Sequence, residues 1–305
     1  MPHAPSGTQW TIAFEDQTAT VVEVGGGLRA YAAGGRDVID GYAEDEISPN
    51  GAGQTLAPWP NRLRDGQYTF DGHTYQLPLS EPATHNAIHG LVRWLPWRLI
   101  SHSGSEVTVG VDLPAQPAYP WTVTLTNRYA LASGGLTVTH TAINLSADPA
   151  PFGLGAHPYV LPPAAGGVDD VWLGVPARSR LLLDGRGLPI GAAKVAGSDF
   201  DYTTAKRIGQ TVLDTAFGEV IRDDSGVSAV TLAGPDGPAT RIWADAAFGW
   251  WQIYTSDTTP GVRRRRSVAV EPMTCPPDAL RSGRDLVVLK PGEPWSASWG
   301  VAPSR

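Results

Sequence analysis

Apolar residues alternate with polar ones along much of the chain. Trp10, Ile12 and Phe14 are separated by Thr11 and Ala13, Trp121, Val123 and Leu125 by Thr122 and Thr124, and Leu136, Val138 and His140 by Thr137 and Thr139. A period of two turns one side of an extended chain to a core and the other to water, so these runs predict half-buried β-strands. Shorter runs that also read as strands lie at residues 19–24, 28–32, 171–175, 180–183, 229–232, 241–244, 250–255, 267–270, 286–289 and 295–301. Residues 68–70 and 74–77 flank Asp71-Gly72, a dipeptide suited to the type I′ turn of a two-residue hairpin. No run of twelve or more residues free of Gly and Pro argues for a long helix, and residues 203–217 are read as the place for a short one. The expected fold is therefore all-β and antiparallel. So many strands must stack as a large β-sandwich or close on themselves, with a ligand on a concave face.

Composition supports this picture. The 305 residues include 35 Gly and 27 Pro against only 17% charged residues, a balance that favours many turns over long helices. Composition does not shift along the chain, and neither a Ser/Gly linker nor a repeat appears. The expectation is a loose tail over residues 1–8 and one domain over residues 9–303. The net charge of −7 argues against nucleic acid, which needs a basic face. The four arginines at 263–266 are the exception, either a phosphate-binding cluster or a solvated hairpin tip. Cys275 is the only cysteine, which excludes an intrachain disulfide and a cysteine-pair metal site. No His/Asn context beside it suggests a nucleophile. The N-terminus lacks a basic start followed by an apolar core, and no apolar stretch approaches the roughly 18 residues of a membrane span. A soluble, cytoplasmic protein without a membrane partner is expected.

Five stretches carry candidate chemistry. Residues 153–160 read GLGAHPYV. Gly153, Gly155 and Pro158 disfavour a helix, so His157 stands where a strand ends in a turn. An imidazole can give and take a proton near neutral pH, but alone it is as readily structural. Asn61-Arg62 follows Pro58 and Pro60, a stiffened loop suited to a guanidinium fork that must hold position; the alternative is a surface arginine beside a turn. In HNAIHG, His85 and His89 are four apart, but Pro82 and Gly90 disfavour the helix that a two-histidine metal site would need, and a polar binding loop is the better reading. Asp214, between Leu213 and Phe217, is either a helix cap or a ligand contact. Glu271 shares a strand face with Ala269, with Val268 and Val270 on the other, before Pro272 ends the strand. It is either a surface carboxylate or, if poorly solvated, a general base.

The order of these motifs resembles the galactose mutarotase-like aldose 1-epimerase family: Asn61-Arg62, Asp71-Gly72, His89-Gly90, His157-Pro158-Tyr159, Asp214 and Glu271-Pro272, spanning residues 54–278. Each motif alone is weak, whereas their order and spacing together are specific. The resemblance implies a β-supersandwich and a cofactor-free interconversion of the α and β anomers of an aldohexose, with a monomer or homodimer as the assembly. It implies Glu271 as the base at the C1 hydroxyl, His157 as the acid at the ring oxygen, and His89 as a second histidine near that oxygen. Arg62, Asp214 and Asn61 are implied as sugar-binding residues. A carboxylate near His157 is expected to raise its pKa. Val160 and Leu161 stand where relatives often have Phe-Asn, so a hydrogen-bonding amide is missing there. Three other readings compete. A sugar-phosphate epimerase would use Arg64, Arg93 or the arginines at 263–266 at the rim. A binding protein would need no acid and base. A glycosidase would pair Asp214 with Glu271.

Overall fold

The computed structural model describes residues 3–164, 166–234 and 237–304. Two large sheets dominate, and every strand pair between named strands is antiparallel. The first has nine strands in the order Arg98–His102, Glu106–Leu113, Val123–Ala132, Gly135–Asn144, Pro294–Pro303, Ala239–Ala244, Ser228–Ala233, Trp172–Gly174 and Lys206–Arg207. The second runs Pro189–Lys194, Ala177–Leu183, Asp214–Val220, Trp250–Tyr254, Val268–Met273, Gly155–Ala156 and Thr55–Leu56. Its eighth strand, Tyr159–Val160, also pairs with Val268–Met273. A smaller four-stranded sheet holds Gln9–Phe14, Gln17–Val22, Leu28–Ala33 and Arg36–Asp37.

The alternation sets the faces. Along Val123–Ala132, Val123, Leu125, Tyr129 and Leu131 are buried while Arg128 and Ala132 are exposed. The paired strand Gly135–Asn144 buries Leu136, Val138 and Ala142 in the same core. Two polar residues stand in that apolar row. His140 Nδ1 lies 2.6 Å from Asn127 Oδ1, and Trp299 Nε1–H donates to His140 Nε2 at 2.9 Å. Because Nε2 accepts, Nδ1 carries the hydrogen and donates to Asn127. Asn127 in turn donates to Thr55 Oγ1 at 2.7 Å and to the Gly26 carbonyl at 3.1 Å. A satisfied polar chain therefore crosses from the nine-stranded sheet to the strand Thr55–Leu56 of the other.

The Asp71-Gly72 hairpin forms as expected, with φ of 48° and 76° at its two turn residues and Phe70 opposite His73. Three expectations are corrected. No helix forms over residues 203–217: Gly209, at φ 55°, turns the chain between the strands Lys206–Arg207 and Asp214–Val220. The β-branched Thr203, Thr204, Thr211, Val212 and Thr215 favour that outcome. The α-helix among the described residues is Ala279–Ser282. Pro272 does not end its strand, which continues to Met273. The neighbouring chain is interrupted at residues 157–158, between the pairings Tyr159↔Ala269 and Gly155↔Met273, and a missing N–H is tolerated beside such a gap. Residues 6–8 are tied down rather than loose: Val24 N–H donates to the Ser6 carbonyl at 3.0 Å and Thr8 N–H to Glu23 Oε2 at 2.9 Å.

Candidate active site

The strand Val268–Met273 is buried on both faces. Val268 and Val270 join the main core, while Ala269 packs with Tyr42, Ala52 and Tyr159 on the other side. Glu271 shares that second side, at 3% exposure, and faces a cleft of about 240 Å³. Its cross-strand partner is Gln252, whose amide donates to Asp214 Oδ1 at 2.5 Å. Asp214 opens the next strand, paired with Tyr254. Sheet register thus lays Glu271 beside Gln252, with Asp214 diagonal to Gln252 on the next strand, although the three are far apart in sequence.

His157 enters from the interruption between Gly155–Ala156 and Tyr159–Val160. Its backbone is held on both sides: its N–H donates to the Gln54 carbonyl at 3.2 Å, and Gly53 N–H donates to its own carbonyl at 2.9 Å. The glycines of GLGAHPYV have a packing cause. A Cβ on Gly153 would stand 2.5 Å from Cys275 Sγ, and one on Gly155 2.8 Å from Pro60 Cβ. Cys275 is thereby explained as a packing residue. Burial pushes its thiol up to about 12, which removes it as a nucleophile. The His157 ring stacks on Tyr159 at 5.0 Å between centroids and meets the His89 ring edge-on at 5.3 Å. His157 Nε2 lies 3.4 Å from Glu271 Oε1.

His89 and Asn61 hold each other. His89 N–H donates to the Asn61 carbonyl at 3.0 Å, and Asn61 N–H donates to His89 Nδ1 at 3.1 Å. Both residues sit in the left-handed region, at φ 63° and 56°. An imidazole whose Nδ1 accepts and whose burial disfavours charge carries its hydrogen on Nε2. His89 is therefore a fixed neutral donor. The Asn61 side chain accepts from Arg62 N–H at 2.8 Å. Arg62 forms a two-pronged pair with Glu81, at 2.8 and 2.9 Å, and its Nη1 lies 3.8 Å from Asp214 Oδ2. Burial alone would weaken its charge, but Glu81 and Asp214 hold it protonated. Gly187 leaves room for it, since a Cβ there would come 2.7 Å from Nη1.

The electrostatics of Glu271 and His157 are set by burial. Desolvation drives Glu271 well above the usual carboxylate range; the like charge of Asp214 adds to this and Arg62 opposes it. His157 is lowered to about 4, again by desolvation first, with Arg93 contributing. The expected rise in the His157 pKa is thus overturned: a carboxylate is present, but loss of water outweighs it. Burial thus disfavours the charged form of both groups. Glu271 Oε2, His157 Nδ1 and Gln252 Oε1 are buried without a hydrogen-bond partner. Asp214, half-exposed at the mouth, is drawn up by burial against the pull of Arg62 and Gln252.

Glu271, His157, His89, Arg62, Asp214 and Asn61 all line this one cleft. Glu81, Arg93, Gln252 and Tyr254 line it as well; Arg93 is one of the rim arginines named above, and the sequence motifs do not mark the other three. The available signal for Gln252 is an amide inside the apolar run WWQIY. His85 is not part of the cleft: it is exposed, with Nδ1 3.0 Å from Asp65 Oδ1. Among the described residues no group of three or more His, Cys, Asp or Glu could hold a metal ion. The arginines at 263–266 do not form a free cluster. Arg263 and Arg266 pair with Asp40, and Arg265 with Asp169 and Asp257. No helix among the described residues is long and apolar enough to cross a membrane.

The two antiparallel sheets with a polar cleft at the second are the galactose mutarotase-like fold. The chain superimposes on the GalM/aldose epimerase homologue from C. elegans with a TM-score of 0.86 at 17% identity, covering 98% of this chain and 99% of that one. It superimposes on galactose 1-epimerase from Lactobacillus acidophilus with a TM-score of 0.79 at 22% identity, covering 97% and 94%. The sequence profile of the aldose 1-epimerase family matches residues 8–301, and the chain belongs to that family. It is 32% identical over 290 residues to the uncharacterized protein YihR of Escherichia coli K12, covering 95% of this chain and 91% of YihR. The aldose 1-epimerase of the same organism is 26% identical over 189 residues, covering 58% of this chain and 53% of that enzyme.

Proposed function

We propose that the protein is an aldose 1-epimerase that interconverts the α and β anomers of a hexose by acid/base ring opening and closure. The observation that carries this reading is the buried pair of Glu271 and His157, 3.4 Å apart at the base of a polar cleft. Ring opening needs one group to take the C1 hydroxyl proton and another to protonate the ring oxygen. The C1–O5 bond breaks as C1 becomes a carbonyl, and the bonding electrons leave on O5, which takes the proton. Rotation about C1–C2 presents the other carbonyl face, and closure reverses both transfers. One proton enters and one leaves, so the pair is restored.

In this assignment Glu271 is the base and His157 the acid. Burial favours the neutral pair, which is the opposite charge state. A bound hexose supplies what moves the proton to His157. Its C1 hydroxyl donates to the carboxylate and its ring oxygen accepts from the imidazolium, and hydrogen bonds to a charged form stabilise that form. Displaced pKa values of this kind suit groups that give and regain a proton in each turnover. His89, a fixed Nε2–H donor, supports the developing charge on the ring oxygen. Arg62, Asp214 and Asn61 grip hydroxyls around the ring.

Anomer exchange followed by NMR or polarimetry, measured as acceleration over buffer, tests the assignment. Glu271→Gln and His157→Asn are each expected to lower kcat by roughly 100- to 10,000-fold, and the double variant by little more than the worse single one. No acceleration by wild type on any aldose, or variants that match wild type, would overturn the proposal.

A further inference from the structure

Among the arginines at 263–266, Arg265 is set deepest. Its side chain is 13% exposed, against 22% for Arg263 and 49% for Arg266, and Arg264 is exposed. Its guanidinium donates to four acceptors: Nε to Asp169 Oδ1 at 2.8 Å, Nη1 to Asp257 Oδ1 at 2.7 Å and to the Thr211 carbonyl at 3.4 Å, and Nη2 to the Gly209 carbonyl at 2.7 Å. An ammonium has three N–H donors and could not serve all of them, whereas the guanidinium fork has five. The main chain is turned into place as well. Arg265 N–H donates to the Ser256 carbonyl at 3.2 Å, and both residues lie in the left-handed region, at φ 50° and 59°.

These acceptors sit on two segments that lead into one wall of the cleft. Gly209 and Thr211 precede Asp214, and Asp257 follows Tyr254. The segments close on each other through Thr255, which is fully buried. Leu213 N–H donates to Thr255 Oγ1 at 2.9 Å, Thr255 N–H donates to the Leu213 carbonyl at 3.0 Å, and the Thr255 hydroxyl donates to Asp257 Oδ2. Asp257 thus has one oxygen on Arg265 and the other on Thr255. A continuous chain of contacts runs from Arg265 through Asp257 and Thr255 to Leu213, one residue before Asp214. On the other segment the Tyr254 hydroxyl lies 2.8 Å from Thr258 Oγ1 and 3.2 Å from Thr259 Oγ1, and these three residues line the cleft with Asp214. Arg265 itself is not among the lining residues.

We infer that Arg265 is a positioning residue for sugar binding: from outside the cleft it fixes the wall made of Asp214 and residues 254–259. The step to sugar binding rests on the epimerase reading above. Glu271 and His157 stand on other elements, Val268–Met273 and the interruption before Tyr159–Val160, so loss of Arg265 is felt in binding before it is felt in chemistry. A misplacement of about 1 Å in a group that orients substrate can cost roughly 100-fold.

The test compares Arg265→Gln, Arg265→Lys, Thr255→Val and Arg266→Gln with wild type in two measurements. One is anomer exchange with glucose, galactose and glucose 6-phosphate. The other is hydrogen exchange, read by mass spectrometry on peptides covering residues 209–217, 254–259 and 268–273. Arg265→Gln is expected to raise KM about ten-fold while kcat stays within about three-fold, and to speed exchange in the first two peptides but not the third. Arg265→Lys keeps the charge without the fork, so its rise in KM should be smaller. Thr255→Val cuts the chain of contacts without removing a charge and should show the same pair of changes, which keeps the test open if Arg265→Gln folds poorly. Arg266→Gln, whose partner Asp40 lies outside both segments, should change neither. Unchanged exchange in the first two peptides, an unchanged KM despite faster exchange, or a fall in kcat alone overturns the inference and leaves the epimerase reading intact. If wild type turns over none of the sugars, the epimerase reading fails by itself and hydrogen exchange decides the role of Arg265. Faster exchange confined to the two segments supports its hold on that wall, and uniform or unchanged exchange overturns it.

Discussion

Glu271 shows how a proposed role and stability oppose each other in one side chain. Its folded pKa lies well above the carboxylate value of 4.5 because water is excluded around it. The folded state therefore holds the proton more tightly than the unfolded state. Stability from this group is fully present below pH 4.5 and is lost as pH rises toward the folded pKa. At neutral pH the carboxyl is a destabilising residue that its proposed role requires. Glu271→Gln keeps the shape and removes the charge, so it is expected to melt higher than wild type at pH 8, with the gap closing near pH 4.5. Each 1 kcal/mol gained is worth roughly 2–4 °C in a chain of this size. A lower melting temperature at pH 8 in scanning calorimetry would show that the carboxylate is not held out of water. At this scale the sequence marks seven of the cleft residues through short motifs, each with a local peculiarity such as Pro58 and Pro60 before Arg62. It does not mark Gln252 or Glu81, since their place depends on register and on a partner: Gln252 stands opposite Glu271, and Glu81 clamps Arg62.

At the scale of elements, two glycines with similar backbones have different reasons to exist. Gly72 closes the exposed hairpin at φ 76°, and a Cβ there would meet nothing within 4 Å. Gly90 follows His89 at φ 73°, and a Cβ would stand 2.0 Å from the Ala57 carbonyl oxygen and 2.3 Å from its carbon. Gly72→Ala is expected to cost about 1 kcal/mol, the backbone term alone. Gly90→Ala must also push two backbones apart at the Ala57↔Gly90 bridge, and is expected to cost more than about 3 kcal/mol. It should lower activity as well, because Gly90 adjoins His89. Urea denaturation of the two variants checks this, and equal costs would refute the packing argument. Legibility of the elements follows the same division. Strands with one wet and one dry face, such as Gly135–Asn144, can be read from alternation. Arg98–His102 is exposed at every position, and Thr55–Leu56 and Gly155–Ala156 have two residues each. Their extended form comes from neighbouring strands rather than from a pattern of their own.

The whole molecule carries three buried histidines that its fold keeps neutral: His89, His157 and His140. All three are lowered by burial, His140 to about 3 and His157 to about 4. Here the sign is the reverse of that for Glu271. The unfolded chain takes up protons below about pH 6.5 that the folded state refuses, so stability falls as pH falls from 6.5 toward 3. Each unit of separation is worth about 1.4 kcal/mol. The protein is thus pressed from the acid side by its histidines and from the basic side by Glu271, which places its stability maximum near neutrality. His140 isolates the acid effect because it lies outside the cleft, bridging the two sheets through Asn127 and Trp299. A glutamine there can accept from Trp299 and donate to Asn127 but cannot titrate. His140→Gln is expected to be less stable than wild type at pH 7, since the amide fits the gap less well. Its denaturation curve should depend less on pH, so that the two proteins converge toward pH 4. Parallel curves between pH 7 and pH 4 would mean that His140 does not couple folding to protons, and that the acid limit lies in the cleft histidines instead.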